Sequence, residues 1–325
     1  MVVIGAVVGA VVSAIAVFID WLPEQASEER ELIDFVFWLT TWICVSIFAV
    51  VASLIVYSVV KFRAPPDDDR DGAPIHGHTG IEIVWTAIPF VLVTVIAIAS
   101  GIALARNDNV TPNPLDVEVT AQQFSWSFRY PNEVTSATLR LPLGRSARLE
   151  LHARDVIHSF WVPQFGQKQD AVPGITTNVV VTPKKLGKFP VICTELCGLG
   201  HSKMRTQAEV MTRAAFDQWL RSQGDRMETP GEAGPAVFEE QGCGGCHAFG
   251  PAGSTSTTGP PLDDLEARAR QVGAEPEQFV RESIVEPNAV VHPDYQPNVM
   301  PATFAQLPKD QLDALVRYLL QEEGS

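Results

Sequence analysis

Positive charge is scarce in this chain. Lys and Arg number 24 against 38 Asp and Glu, a formal net charge of -14, which excludes the basic footprint that nucleic-acid binding needs. Cysteine is scarce too, with five in 325 residues. Cys193 pairs with Cys197 and Cys243 with Cys246, while Cys44 stands alone in an apolar run. None is left for a structural disulfide framework, and Cys44 reads as an inert buried thiol. The first apolar run, Val2–Ile19, has no basic stretch before it and no small-x-small site in the Asp20-Trp-Leu-Pro-Glu that follows. A cleaved signal peptide wants both. The run fits either a leader or a membrane helix, and these two absences favour a retained helix.

What is present is apolar and unevenly spread. Phe35–Val60 and Ile83–Ala105 are uncharged throughout, and each exceeds the ~20 apolar residues that cross a bilayer. Lys61-Phe62-Arg63 closes the first run and should lie inside by the positive-inside rule. The two runs predict a membrane hairpin, with everything after Arg106 outside. Trp21–Asp34 is an acidic connector. The loop Ala64–Gly80 holds Pro65-Pro66, several aspartates and His76-Gly-His78. Those histidines sit in a polar Gly/Pro loop without a third ligand and read as solvated. Glu82 opens the second run, where a carboxylate ordinarily stabilises the helix dipole.

From Thr111 the period becomes two. Asp116–Ala121, Ser125–Tyr130, Ala147–Ala153, Thr177–Thr182 and Lys188–Cys193 alternate apolar and polar residues, with Pro/Gly turns between them. Short strands with such turns predict a sandwich or barrel. Thr212–Ser222 reads as an amphipathic helix carrying Phe216, Trp219 and Leu220 on one face. Gly224–Gly234 reads as a linker, and Pro308–Gln321 as a closing helix.

Two motifs carry chemistry. Cys193-Thr-Glu-Leu-Cys197-Gly-Leu-Gly-His201-Ser-Lys-Met204 offers thiolates, an imidazole and a thioether, and such soft donors select copper. Two thiolates can bridge a pair of coppers. Each copper then needs an imidazole, and the stretch supplies only His201, so His158 is the candidate second. A disulfide or a copper-chaperone thiol pair would need neither His201 nor Met204. The other motif, Cys243-Gly-Gly-Cys246-His247, is a c-type haem attachment site. Met300 is the only methionine after it and is the candidate distal ligand, a pairing that raises haem potential. His292, before Pro293, reads as a loop residue.

His158, Cys193, Glu195, Cys197, His201 and Met204 together resemble the binuclear copper centre, CuA, of cytochrome c oxidase subunit II. The resemblance implies that Cys193 and Cys197 bridge both coppers and that His158 and His201 cap one each. Met204 and the Glu195 carbonyl would be the weak axial ligands, with the Glu195 carboxylate reaching a magnesium ion at the subunit interface. Ile81–Pro89 is similar to the family's second hairpin helix, which makes Glu82 a proton-pathway candidate. The family's exposed tryptophan, where electrons come in, aligns with Phe124 here and its second tryptophan with Trp126, so both are electron-path candidates. The last ninety or so residues resemble the fused cytochrome c of caa-type oxidases.

The implied fold is multidomain: a transmembrane α-hairpin plus one extra N-terminal helix, a cupredoxin-like Greek-key β-barrel, and an all-α class I cytochrome c. The expected boundaries are 1–33, 34–110, 111–222, a linker 223–234, and 235–325. The implied role is the subunit through which electrons enter a bacterial terminal oxidase, passing from haem c to CuA and on to a haem-copper catalytic subunit. Implied partners are that catalytic subunit, the other oxidase subunits, a cytochrome c or bc-type donor, and the bilayer of the bacterial plasma membrane, with both redox domains on its outer face. A copper-dependent nitric oxide reductase is the alternative. Nitrous oxide reductase fits the hairpin poorly, and a copper-delivery protein would have no use for covalent haem.

Overall fold

The computed structural model describes residues 2–63, 66, 72, 74–227 and 233–321. The chain divides into two compact units, Met1–Glu24 with Glu31–Asp108, and Gln25–Arg30 with Asn109–Ser325.

Three helices make the first unit: α1 (Val2–Phe18), α2 (Glu29–Lys61) and α3 (Thr79–Asn107). α2 and α3 are long and apolar enough to cross a membrane. α1 is shorter and meets α2 through small residues. A Cβ on Gly5 would come 3.2 Å from Ser53 Oγ, and one on Gly9 3.9 Å from Ala49 Cβ. Such residues let helix backbones approach closely in lipid. The start of α3 is capped locally: His78 Nδ1 accepts from Ile81 N, and His78 N donates to the Glu82 carboxylate at 3.0 Å. His78 therefore occupies two of the groups a helix start must satisfy. Cys44, expected to be buried, is exposed on α2, because an apolar helix presents most of its circumference to lipid. The aspartates at 67–71 lie outside the described residues.

The larger part of the second unit is a sandwich. Its strands are β1 (Leu115–Gln122), β2 (Ser125–Arg129), β3 (Thr135–Ser136), β4 (Leu139–Pro142), β5 (Ala147–Ala153), β6 (His158–Trp161), β7 (Lys168–Ala171), β8 (Thr177–Val181), β9 (Gly187–Cys193) and β10 (Arg205–Met211). They form two five-stranded sheets, β3-β2-β1-β5-β8 and β4-β10-β9-β6-β7. β1 pairs parallel to β5 and β4 parallel to β10, while the other pairs are antiparallel. Two five-stranded sheets joined by such non-sequential pairings make the β-sandwich expected for a cupredoxin-like domain. Alternation sends Val117, Val119, Leu149 and Leu151 into a core shared with Trp126, Phe128 and Phe160. β3, β4, β6, β7 and β10 were not anticipated from the sequence, because they are short or carry polar residues on alternation too weak to read.

The connector stretch is partly pinned to this sandwich. Ala26 N donates to Gln164 O, Lys184 N to Ala26 O and Thr182 N to the Glu29 carboxylate. Ser27 is fully buried and donates to Phe165 O, and Arg30 donates to Pro163 O.

α4 (Arg213–Met227) seals one end of the sandwich through Phe216. It runs past Gly224, where the sequence suggested a linker, since one glycine costs a helix only about 1 kcal/mol. Residues 228–232 of that linker lie outside the described residues. The C-terminal domain then packs α5 (Ala233–Glu240), α6 (Leu265–Gln271), α7 (Pro276–Val285) and α8 (Lys309–Leu319) around Phe238, Phe249, Ile284 and Leu315. A two-stranded ribbon, β11 (His247–Phe249) with β12 (Ser254–Thr257), is added to the helices. Gly234 marks the crossing of α5 and α8, where a Cβ would lie 2.6 Å from Ala314 O.

Phe128, fully buried, has no polar atom and no place in either chemical motif, so its truncation isolates the packing contribution. Phe128→Ala is predicted to lower the unfolding free energy of the sandwich by about 3–5 kcal/mol, measured by denaturant titration. A loss under 1 kcal/mol would contradict this core.

Candidate copper and haem sites

The copper motif spans the end of β9 and the loop into β10. Cys193 is the last residue of β9, Cys197 lies in the loop, and His201–Lys203 forms a single 3-10 turn that delivers Met204 to the start of β10. His158 comes from the first residue of β6, which pairs with β9. Cys193, Cys197, Met204 and His158 are buried, while the Glu195 side chain is exposed.

The donor atoms converge. The Cys193 and Cys197 sulfurs are 3.8 Å apart, well beyond the ~2.05 Å of a disulfide. His158 Nδ1 lies 3.9 Å from Cys193 Sγ, and His201 Nδ1 lies 3.4 Å from Cys197 Sγ. Met204 Sδ is 3.8 Å from Cys197 Sγ, and the Glu195 carbonyl is 3.3 Å from Cys193 Sγ. Two thiols side by side, each with its own imidazole and one further weak donor, suit a pair of soft ions. Among the described residues, His158, Cys193 and Cys197 are also the one group of such side chains whose ligand atoms all lie within 4.8 Å of each other.

A residue missed in the sequence holds this set in place. Asp155 Oδ1 accepts from His158 Nε2 at 2.8 Å, fixing the ring so that Nδ1 faces the sulfurs. Gln123 N donates to Asp155 Oδ2 at 2.7 Å, and the Gln123 amide donates to Cys197 O. Carboxylate–histidine pairs are the usual outer support of a metal ligand, and an aspartate three residues before the histidine was the available signal. Burial raises the Asp155 carboxyl, but the bond from His158 and those from two backbone amides outweigh it and hold it below the usual range. Burial lowers the His158 imidazole, yet Asp155 and Cys193 bring it above its ordinary value. The Cys193 thiol is lowered against its own burial by His158 and backbone donors. Burial and the neighbouring Cys193 raise Cys197. The pair therefore gives up its first proton more readily than its second.

Phe124 is buried, and Cβ atoms on Gly198 and Gly200 of the copper loop would meet its ring. Trp126 is buried too, with its ring centroid 6.3 Å from that of His158 and 5.5 Å from that of Phe160.

In the C-terminal domain, Cys243 and Cys246 flank one 3-10 turn, and His247 opens β11. Both thiols are free. Burial pushes Cys243 up to about 12 and Cys246 up to about 11. His247 Nδ1 donates to Pro260 O at 2.7 Å, which leaves Nε2 as the lone-pair nitrogen, the form an axial ligand needs. Burial lowers the His247 imidazole, which favours its neutral form. Met300 packs against the same core. This set fits a covalent haem. His292 is engaged elsewhere, its Nδ1 accepting from Asp294 N at 3.3 Å.

Comparison with known proteins places the chain. Family models match in order along it: cytochrome C oxidase subunit II, transmembrane domain, over 14–101; the periplasmic domain of the same subunit over 132–211; and cytochrome c over 231–323. The chain is 34% identical over 286 residues to cytochrome c oxidase subunit 2 of Alkalihalophilus pseudofirmus, covering 82% of each. It is 30% identical over 285 residues to the same subunit of Bacillus sp. (strain PS3), covering 79% of this chain and 78% of that one. To the subunit of Thermostichus vulcanus it is 34% identical over 255 residues, covering 62% and 77%. The chain belongs to the cytochrome c oxidase subunit II family and carries a cytochrome c domain behind it. It is thus a membrane-anchored component of an oxidoreductase. The family implies CuA copper, and the C-terminal domain implies haem c.

Two outcomes are predicted for Asp155→Asn. Copper affinity should fall by about 10–100-fold, read by competition titration, and an unchanged affinity would remove Asp155 from the site. In the metal-free chain, His158 has a raised imidazole, so its stabilising contribution is present below ~6.5 and lost as pH rises through its folded value. Asp155 has a lowered carboxyl, so its contribution is present above ~3.9 and lost as pH falls through its folded value. The melting-temperature loss caused by Asp155→Asn should therefore be larger at pH ~5.5 than at pH ~8.5.

Proposed function

We propose that this chain is the subunit through which electrons enter a bacterial terminal oxidase, taking them on a covalently bound haem and passing them to a binuclear copper centre and then to a haem-copper catalytic subunit. The observation that carries this reading is the pairing, in one compact unit, of a converged six-donor soft site with a Cys-x-x-Cys-His motif whose histidine is held in the ligating tautomer. When bound, the haem and the copper pair each supply a one-electron carrier. Cys243 and Cys246 would hold the haem as thioethers, with His247 and Met300 as its candidate iron ligands. Cys193 and Cys197 would hold the copper pair, with His158, His201, Met204 and the Glu195 carbonyl completing the donor set.

The rest of the work is done by the chain's own residues. The sandwich holds the copper ligands on strand ends and the one short loop between β9 and β10, so little moves between redox states. Burial of Cys193, Cys197 and His158 excludes water. Trp126 lies beside His158 and Phe124 beneath the copper loop, which supports them as the electron path. The exposed Glu195 carboxylate is free of the copper set and available to a magnesium ion at the interface with the catalytic subunit. Glu82 sits at the start of α3 with its carboxylate on His78 N and is the proton-pathway candidate at the membrane edge. Fusion replaces diffusional encounter with an effective concentration set by the linker. The upstream donor is a cytochrome c or bc-type complex, and the membrane is the bacterial plasma membrane, with both redox domains outside.

The test is absorption and EPR spectroscopy of the haem-matured chain supplied with copper. Two coppers per haem, sharing one electron equally, is the expected result. Haem without a mixed-valence copper pair would break the reading. Oxygen consumption by the catalytic subunit that co-purifies would separate an oxidase from a nitric oxide reductase. In the same samples Met300→Ala should lower the haem midpoint potential, read by redox titration.

A further inference from the structure

The haem motif does not stand apart from the sandwich. Gly242, just before Cys243, adopts φ 67°, and a Cβ there would lie 2.6 Å from Ser125 Oγ. Ser125 is the first residue of β2, at the β1–β2 turn. A Cβ on Gly245, between the two haem cysteines, would lie 3.6 Å from Ser125 Cβ. On the other side, Val299, the neighbour of Met300, packs against the sandwich core. The segments bearing the proximal and distal ligand candidates therefore both rest on the sandwich.

Polar groups close this seam. Gln122 Nε2 donates to Gln241 O at 2.8 Å. Arg154 Nη1 donates to Gln241 Oε1 at 3.2 Å and to Gln122 Oε1 at 3.4 Å. Arg154 Nη2 lies 3.9 Å from the Glu240 carboxylate. Gln122 and Gln241 are only 4% and 6% exposed, so their hydrogen bonds come from one another, from Arg154 and, for Gln122, from Ser125 Oγ at 3.5 Å. One guanidinium thus spans an amide from each domain, directly beside the haem cysteines. A polar, satisfied seam of this kind holds one register and can open at modest cost, because water can replace its bonds.

We propose that Gln122, Arg154, Glu240 and Gln241 form a polar latch that seats this chain's own haem motif on the β1–β2 turn. The latch positions the haem segment next to Ser125 and Trp126, and Trp126 in turn lies against His158. It also occupies the turn, so a soluble donor protein meets the outer face of the haem domain and not this one. The inference rests on the electron-transfer reading above, and Arg154 acts in it as a positioning residue.

The experiment is hydrogen exchange by mass spectrometry on the full-length chain, haem-matured and copper-loaded, comparing wild type with Arg154→Glu, Arg154→Lys and Gln241→Leu. Arg154→Glu places a carboxylate against Glu240 and should speed exchange at 240–246, across the seam, by about tenfold, or ~1.4 kcal/mol of opening free energy. Gln241→Leu should do the same at 122–126 on the opposite side. Arg154→Lys keeps the cation and should retain most of the protection. Exchange in α8 and β10 should stay at wild-type rates in all three. Unchanged rates across the seam in both disruptive variants would overturn the latch, as would an equal loosening of the whole unit. Should Arg154→Glu fail to fold, Gln241→Leu alone decides. Spectra of the same samples separate the two claims. Missing redox centres in the wild type count against the proposed function, whereas intact centres with no reciprocal exchange effect count against the latch.

Discussion

Two thiols held 3.8 Å apart with no disulfide between them are the constraint around which this chain is arranged. Left to themselves in an oxidising compartment, such a pair tends towards a disulfide. Holding the sulfurs apart requires Cys193 on a strand, Cys197 on a loop, and a rigid body beneath both. β9 supplies the strand through its pairing with β10 and β6. The loop is tied down by the Gln123 amide on Cys197 O and by Phe124 packed under Gly198 and Gly200. The sandwich core is thus in direct contact with the donor set.

The two cysteine pairs show how environment separates one residue type into two chemistries. At the copper motif, His158 and backbone donors draw Cys193 below its usual value while Cys197 is raised. A thiolate is already favoured where a metal needs one. At the haem motif, burial raises both thiols, and no imidazole bonds to either among the described residues. They remain protonated, as suits covalent addition and not metal ligation. The histidines divide in the same way. Asp155 holds a charge-stabilising bond on His158, whereas burial lowers His247 against the bond to Pro260 O, which fixes its tautomer.

Distant segments are tied into this frame by a few specific contacts. Gln25–Arg30, far from the strands in sequence, is stitched to the sandwich edge by backbone hydrogen bonds and the buried Ser27. Glycines at 234 and 242 permit backbone approaches that any side chain would block. These are long-range contacts between residues that carry no periodic signal, and each depends on a partner at least 80 residues away.

Much of the fold and site was legible in residue order. Uncharged runs announce α2 and α3 because a bilayer demands uninterrupted apolar length. Alternation announces β1, β2, β5, β8 and β9 because a strand alternates faces. The spacing of Cys193, Cys197, His201 and Met204 and of Cys243, Cys246 and His247 declares soft-metal and haem chemistry because ligands must fall within one turn or loop. Tertiary structure alone decided the rest. It brought His158 to Cys193 across the β6–β9 pair and placed Asp155 behind it. It exposed Cys44, made His78 a helix cap, and set Gln241 against Gln122 and Arg154. The physical reason is range. Local spacing determines what a segment can ligate or span, but the partner that orients a ligand or closes a seam is chosen by packing, which no local pattern encodes.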